Sequence, residues 1–505
     1  MYDPYVLLPL IISSVAALAT FSLGTLAEKY KISRVPELIS FIGLAATFVS
    51  VLYLFIYRLP AGILTFFYGN GPPSGALIEA DAASLFMAAL ISGLGLIVSI
   101  YSVSYMQHDT GLPKYYSLLQ LLVVGLIGVV FAGDLFTLFV FFEMMGIASY
   151  VLVSFRKREW EPVEAGMKYL FMGAVGSTTV LYAISFLYGI GGTLNIATLA
   201  SRMPAILGTP GVAPIAIILI VLLISGFGVK AAIVPFHTWL IDAHPAAPSG
   251  ISAMLSGVVI ETAGFALFRI LFIIFPLGVF DWTPVIGFIA IITMVVASIS
   301  ALLQTDLKRL LAYSSILNVG FILIGFAVAN DQAVGASFFL ILNHAIAKGL
   351  LFLCAGAFLH AAGTRDLNQL TGIGKKMPLT ALAFGIGAFA VAGLPPLNGF
   401  YSKILLLWYA ASSGTLMGYL LVAFGLFSSA VAIFFYLRIV QVIAFSEPSK
   451  KVADAKEAPK TMLLAMWILA ALCIIIGIYP TPWFNLTQQI GTAFTNFAGY
   501  IAGAI

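Results

Sequence analysis

Residues 215–239 read IAIILIVLLISGFGVKAAIVPFHTW. The stretch opens on an unbroken apolar run from Ile215 to Ile224, and then brings Gly226, Gly228, Lys230 and Pro235 close together. A bilayer core takes about 20 apolar residues per helix, and the wider run 211–234 is long enough to cross one. Proline inside a helix removes a backbone hydrogen bond. In lipid that loss is tolerated only where protein or water re-satisfies the backbone. A charged side chain at the bilayer centre costs about 2.5–3.5 kcal/mol on insertion scales. The stretch therefore predicts a membrane helix that breaks beside a lysine, with the lysine facing other polar groups or water.

The rest of the chain has the same character. Of 505 residues, 61% are hydrophobic and 9% are charged, against about 25% charged in a soluble domain. Apolar runs of span length recur from end to end, about fourteen in all, among them 211–234 and 378–410. Nothing alternates over long stretches as the strands of a membrane barrel would. The predicted fold is an all-α polytopic membrane protein. The first run, Tyr5 to about Thr25, lacks a basic segment before it and a small-residue cleavage site, and reads as a retained span rather than a signal peptide. The net charge of +4 comes with no basic stripe interleaved with aromatics, which argues against nucleic acid. Cys354 and Cys473 each sit alone in an apolar run, so no disulfide, iron–sulfur or zinc site is expected. The histidines are scattered without a repeated ligand spacing, and no metal or cofactor is expected in this chain.

Basic residues orient the spans. Eighteen of the 24 Lys and Arg residues fall in odd-numbered loops, among them Lys29, Lys114, Arg156, Lys308, Arg365 and Lys456. Arg58, Arg202 and Arg269 fall on the other face, and the remaining three lie inside spans. This asymmetry places the odd loops in the cytoplasm and both termini outside. Residues 58–80, with Gly69, Gly71, Pro72 and Pro73, read as a turn-rich surface segment. The charged loop 445–460 reads as a solvated linker, and the mildly amphipathic tail 483–505 as lying along the outer interface.

Ionisable residues deep in the spans carry the functional information: Glu143, Lys230, Glu261, His344 with Lys348, and Lys403. Together they would burden insertion by roughly ten kcal/mol or more unless they face one another or water. His344 and Lys348 are four residues apart and share one helix face. Plainer readings exist for each: a static Glu143–Lys230 ion pair, a permanently protonated Glu261, a neutral packing histidine at 344. His237, His244 and His360 lie near span ends and read as inlet or outlet groups, or as surface.

The twelfth span repeats the pattern of the seventh, with Gly393, Pro395, Pro396, Gly399 and Lys403 in close succession. An offset of five spans reverses direction across the membrane. Spans 4–8 (115–275) and 9–13 (276–444) would then be inverted five-helix repeats, as in many ion transporters. They follow three N-terminal helices (1–114) and precede a final segment (445–505).

Several motifs resemble one family. They are Asp134 through Phe142-Glu143-Met144 to Ser149-Tyr150; Gly228-Val229-Lys230 with Pro235-Phe236-His237-Thr238-Trp239-Leu240; Asp242-Ala243-His244; Gln304-Thr305-Asp306-Leu307-Lys308-Arg309 to Ser315; Asn343-His344 to Lys348-Gly349; and Gly393-Leu394-Pro395-Pro396 to Lys403. Together, in order and over the whole chain, they look like the antiporter-like subunits of respiratory complex I, Mrp sodium/proton antiporters and membrane-bound group 4 hydrogenases. The resemblance implies that Glu143 pairs with Lys230, that Lys403 faces the outer half-channel, and that His344 and Lys348 bridge the halves. It implies a prokaryotic plasma membrane, other membrane subunits as partners, and iron–sulfur and nickel–iron hydrogenase-like chains among them. The sequence departs from the family at Glu261, where a lysine is common, which implies a different charge register or cation preference. Lys403, where one complex I subunit carries an acid, and a chain ending soon after span 14 fit the shorter D-type or its hydrogenase equivalent. The expected function is proton or sodium translocation within an energy-converting oxidoreductase, with an Mrp antiporter subunit as the alternative and a bare scaffold as a third.

Overall fold

The computed structural model describes residues 2–69, 75–209 and 213–504; Gly71, Pro72, Pro73 and the first residues of the run 211–234 lie outside them. Among the described residues, 12 helices are long and apolar enough to cross a membrane. The two remaining predicted runs are the two expected to break, and both do.

The N-terminal part is α1 (Leu8–Lys29), α2 (Val35–Tyr53), a hairpin of β1 (Leu64–Tyr68) and β2 (Ala76–Ala80), and α3 (Ala82–Tyr105). Then come α4 (Leu112–Val130), α5 (Leu135–Val153), α6 (Trp160–Gly191) and the short α7 (Ile196–Leu207). The first broken span is α8 (Ala213–Lys230) followed by α9 (Thr238–Ala246). Next, α10 (Ser249–Met254) runs through a π turn at Leu255–Val259 into α11 (Ile260–Ile274). The second half holds α12 (Thr283–Leu302), α13 (Leu307–Val328) and the long α14 (Asp331–Ala362). The second broken span is α15 (Pro378–Ala392) with α16 (Asn398–Ser412). The chain closes with α17 (Leu416–Val440), α18 (Lys460–Ile478), α19 (Thr481–Thr495) and α20 (Phe497–Ala504).

Both breaks resolve the backbone problem that the sequence poses. The carbonyl of Val229, freed where α8 ends, accepts from the Trp239 indole N–H at 2.6 Å. The carbonyl of Val391, at the end of α15, accepts from Lys403 Nζ at 2.7 Å. Freed polar groups are thus paired inside protein rather than left in lipid. Ala232 (φ 53) and Gly393 (φ 85) turn the chain at the two breaks.

Helix α14 is the axis of the molecule: its most apolar window is wholly buried, packed by α10, α13, α15, α16, α18 and α19. Helices α1, α6 and α17 instead present Val15, Leu18, Phe171, Val175 and Phe434 outward, apolar faces suited to lipid or a neighbouring membrane chain.

Two expectations change. Residues 58–80 are not only turns: Leu64 pairs with Ala80 and Tyr68 with Ala76 in an antiparallel hairpin, because Leu64, Leu77 and Glu79 alternate inward along it. Arg269 is not a loop residue but lies in α11, 5% exposed, where an ion pair with Asp81 at 2.6 Å offsets its desolvation. The amphipathic tail also packs one face on protein. Ile490, Gly491 and Phe494 of α19 are buried, and α19 packs against α14 and α3. Both ends of the chain meet the hairpin: the Asp3 N–H donates to the Thr65 carbonyl at 2.8 Å, and the Tyr500 hydroxyl donates to Glu79. The termini therefore share one face of the bundle.

Candidate ion path

Lys230 ends α8 and is fully buried. Its Nζ donates to the Tyr150 hydroxyl at 2.7 Å. It also lies 4.3 Å from the Tyr150 ring centroid and 5.2 Å from that of Tyr169, where the ring faces attract a cation. Glu143, Gly146 and Tyr150 follow one another on one face of α5. Two glycines make room for this contact: a Cβ at Gly146 would collide with Lys230 Nζ, and one at Gly173 with the Tyr150 hydroxyl. Tyr169 stacks flat on Trp239, centroids 3.7 Å apart, which ties the lysine chamber to the helix break. The implied Glu143–Lys230 ion pair is not formed. Glu143 Oε1 is buried without a protein hydrogen bond, and the tyrosine hydroxyl takes the lysine instead.

The middle of the path is built on α14. His344 Nε2 lies 3.5 Å from Glu261 Oε1 and 3.1 Å from the Ser256 carbonyl. A carbonyl only accepts, so Nε2 carries a proton there. Ser256 sits in the π turn just before Glu261, and a π turn shifts the helical ladder so that such a carbonyl can bond outside it. One turn along α14, Lys348 Nζ donates to the Leu311 carbonyl at 2.9 Å and to the Tyr436 hydroxyl at 3.2 Å. Tyr436 in turn is 2.6 Å from Ser314 Oγ. Lys403 Nζ, besides its bond to Val391, lies 4.8 Å from the Phe321 ring centroid. Asn343 donates to the Asn398 carbonyl at 3.0 Å, fastening α14 to the second break, at which Pro395 and Pro396 stand as Pro235 does at the first.

On the face opposite the termini, a polar cavity of about 720 Å³ is lined by Tyr105, Arg156, Glu161, Asp306, His360 and Arg365 among others. Arg365 bridges Glu161 at 2.8 Å and Asp306 at 3.0 Å. Arg156 bonds Asp109 through Nε and Nη2 at 2.9 and 3.0 Å. Burial pushes the Arg156 guanidinium down, but Asp109 overrides it and the group ends above its ordinary value. Pro245, Ala246 and Ala247 line the same cavity, and directly behind them lies His244. His244 is not a surface group as the span ends suggest: it is fully buried, stacked on Phe352 at 4.3 Å, and neither ring nitrogen has a protein partner. His237 is half-buried and 6.4 Å from the Tyr313 ring. His360 is exposed at the cavity wall.

The profile described as "NADH:quinone oxidoreductase/Mrp antiporter, TM" matches residues 132–431, the segment holding all six deep ionisable residues. The chain belongs to this antiporter-like family. A second profile, "NADH-Ubiquinone oxidoreductase (complex I), chain 5 N-terminus", matches residues 76–116. F(420)H(2) dehydrogenase subunit N of Methanosarcina mazei is 31% identical over 473 residues, covering 92% of this chain and 94% of that one. A chain of the membrane-bound sulfane sulfur reductase, an archaeal respiratory membrane complex, superposes with a TM-score of 0.88 at 30% identity, covering 99% of both chains. A chain of the Mrp complex from Dietzia sp. reaches the same TM-score of 0.88 at 23% identity over 99% of both, a likeness of fold.

Three residues of this antiporter-like chain escaped the sequence reading of the path. Lys308 reads as a loop cation, yet it is 1% exposed and donates to the Ala247 carbonyl at 2.8 Å, between the cavity and His244. Tyr150 and Tyr436 each receive a lysine, and neither carries a charge that would mark it. The Tyr150 signal was its spacing, seven residues after Glu143 on the same helix face.

Proposed function

We propose that this chain is the ion-translocating subunit of an energy-converting membrane oxidoreductase, moving protons, or sodium in exchange for protons, while a partner subunit supplies the redox chemistry. The observation that carries this is the chain of buried ionisable groups, Glu143, Lys230, Glu261–His344, Lys348 and Lys403, each at least nine-tenths buried save Glu143, strung between two broken helices. Groups this costly to bury persist in membranes where an ion passes. A proton enters from the polar cavity by Lys308 and His244. It then passes among His344, Glu261 and Lys348, and Lys403 hands it on. Lys230 holds a proton while bonded to Tyr150, an approach of the Glu143 carboxylate favours the charged lysine, and its withdrawal lets the proton go. On this reading spans 4–8 and 9–13 are inverted halves of this device, which the pair of broken spans supports, with odd loops in the cytoplasm and both termini outside, in a prokaryotic plasma membrane.

Partners on this reading are other membrane subunits and, beyond them, iron–sulfur chains. A group 4 hydrogenase or a close relative such as a sulfur reductase is the finer form. A D-type subunit of an Mrp antiporter is the second reading, supported by the shared fold. Identities of 30–31% to oxidoreductase subunits favour the first.

The experiment is purification from native membrane in mild detergent, with mass spectrometry of what accompanies the chain. Iron–sulfur and nickel–iron hydrogenase-like chains support the redox-driven pump. Small hydrophobic antiporter chains without a redox protein support the Mrp reading and overturn the first.

A further inference from the structure

A second buried cluster of titratable groups lies at the far ends of two helices of the path. Glu79 on β2 is 4% exposed. One carboxylate oxygen accepts from the Tyr500 hydroxyl. The other, Oε2, makes no protein hydrogen bond and points at Gly133, where a Cβ would sit 3.0 Å away. Around it stand Arg269, paired with Asp81 at 2.6 Å, and Asp134, which caps α5 by accepting from the Thr137 N–H at 2.8 Å.

Asp134 and Glu143 share α5, and Arg269 and Glu261 share α11. At 1.5 Å per residue the cluster lies about 12–14 Å from each of these glutamates. The space on the α11 side is filled by phenylalanines. Phe265 is 5.6 Å from Phe494 and 6.5 Å from Phe338. Phe494 and Tyr500 belong to the C-terminal tail, and the Arg269 guanidinium lies 4.8 and 5.4 Å from their rings. The tail thus lies directly over the cluster.

A buried carboxyl with an unpaired oxygen is costly as an anion and acceptable with a proton on it. Burial pushes the Glu79 carboxyl up, the Tyr500 hydrogen bond and Arg269 pull it back, and Asp81 and Asp134 push it up again, leaving it at about 7. Glu79 lies outside the spans, so this balance is set by these neighbours.

We infer that Glu79 is a proton-binding outlet site on the face that bears both termini, with the tail residues Phe494 and Tyr500 as its removable cover. The inference rests on the translocation proposed above. A proton arriving from the glutamate side binds Oε2, making the neutral acid. When the tail lifts, it passes to water and the carboxylate returns. No electron moves and no other bond changes.

The test uses the whole complex in native membrane vesicles, with Glu79→Gln, Tyr500→Phe and Lys230→Ala. Glu79→Gln is expected to lower coupled proton translocation about ten-fold or more while the complex assembles, matching the loss of one essential proton carrier. Tyr500→Phe removes a hydrogen bond that favours the charged carboxylate, so the pH profile of transport moves upward. An infrared pH titration of the purified complex is expected to show a carboxyl band titrating near 7 that Tyr500→Phe shifts upward. Wild-type transport and pH profile in Glu79→Gln, beside a dead Lys230→Ala, overturns the outlet and leaves the translocation reading standing. Normal transport in Lys230→Ala overturns that reading itself. Should Glu79→Gln fail to assemble, the infrared band decides: its absence, or its indifference to Tyr500→Phe, overturns the outlet.

Discussion

The Lys230 ammonium is hydrogen-bonded to the Tyr150 hydroxyl at 2.7 Å, and no ion pair joins it to Glu143, two turns along the same face of α5. A buried lysine held by a neutral acceptor is poised differently from one locked to a carboxylate. The tyrosine stabilises the charge without neutralising it, and Glu143 remains free to approach.

Tyr150→Phe should therefore impair transport while sparing assembly. Leaving a buried charged donor without its acceptor costs roughly 1–3 kcal/mol, which corresponds to a several-fold to hundred-fold loss. Proton uptake by vesicles and subunit yield from the same membranes measure the two effects separately. Unchanged uptake would reduce Tyr150 to packing.

The Glu261–His344 contact predicts coupling between the two side chains. Glu261→Gln and His344→Ala should each lower translocation strongly, and the double variant should be little worse than either single one. Neighbouring polar residues typically show interaction energies of about 0.5–3 kcal/mol in such cycles. Additive losses would show that the two act in separate steps. Glu261→Lys should be tolerated worse than Glu261→Gln, because it puts a cation beside His344 and removes the acid there.

Gly146→Ala should damage the lysine chamber by sterics alone, since the new methyl collides with Lys230 Nζ. Overpacking of this kind costs about 1–3 kcal/mol. Gly385→Ala on α15, where a Cβ meets nothing within 4 Å, is the control. Thermal unfolding of the complex and vesicle transport should both fall for the first and stay at wild type for the second.

Acidification should loosen the contact between α3 and α11. Burial pushes the Asp81 carboxyl up, but the Arg269 charge and the hydrogen bonds from Arg269 and Ser84 pull it below its ordinary value of 3.8. The native state therefore binds fewer protons than the unfolded chain. Its contribution is fully present above the ordinary value and is lost as pH falls through the lowered one. Asp81→Asn should be less stable near neutrality by about 3–5 kcal/mol, the cost of leaving a buried partner charge alone. Its stability should then fall less steeply in acid than that of wild type. Parallel acid curves for the two would remove Asp81 from this role.

The sequence by itself determined the membrane class, the places where two spans break, and which ionisable residues lie deep. Each follows from a local cost. Twenty apolar residues match a bilayer, a proline frees a carbonyl wherever it falls in a helix, and a lysine in such a run is expensive whatever surrounds it. Lys230, Lys403 and the His344–Lys348 pair were legible on those grounds. The tertiary structure alone decided what each group touches. The distances from Tyr150 to Lys230, from Glu261 to His344, and from Arg269 to Asp81 depend on how helices far apart in the chain are rotated and packed. No local pattern specifies that rotation. Lys308 shows the same limit, since it lies in a basic loop motif and is buried only because the α9–α10 turn closes over it. The hairpin carrying Glu79 does so again: its alternation is short, and its buried face exists only because α3, α5 and the C-terminal tail converge on it.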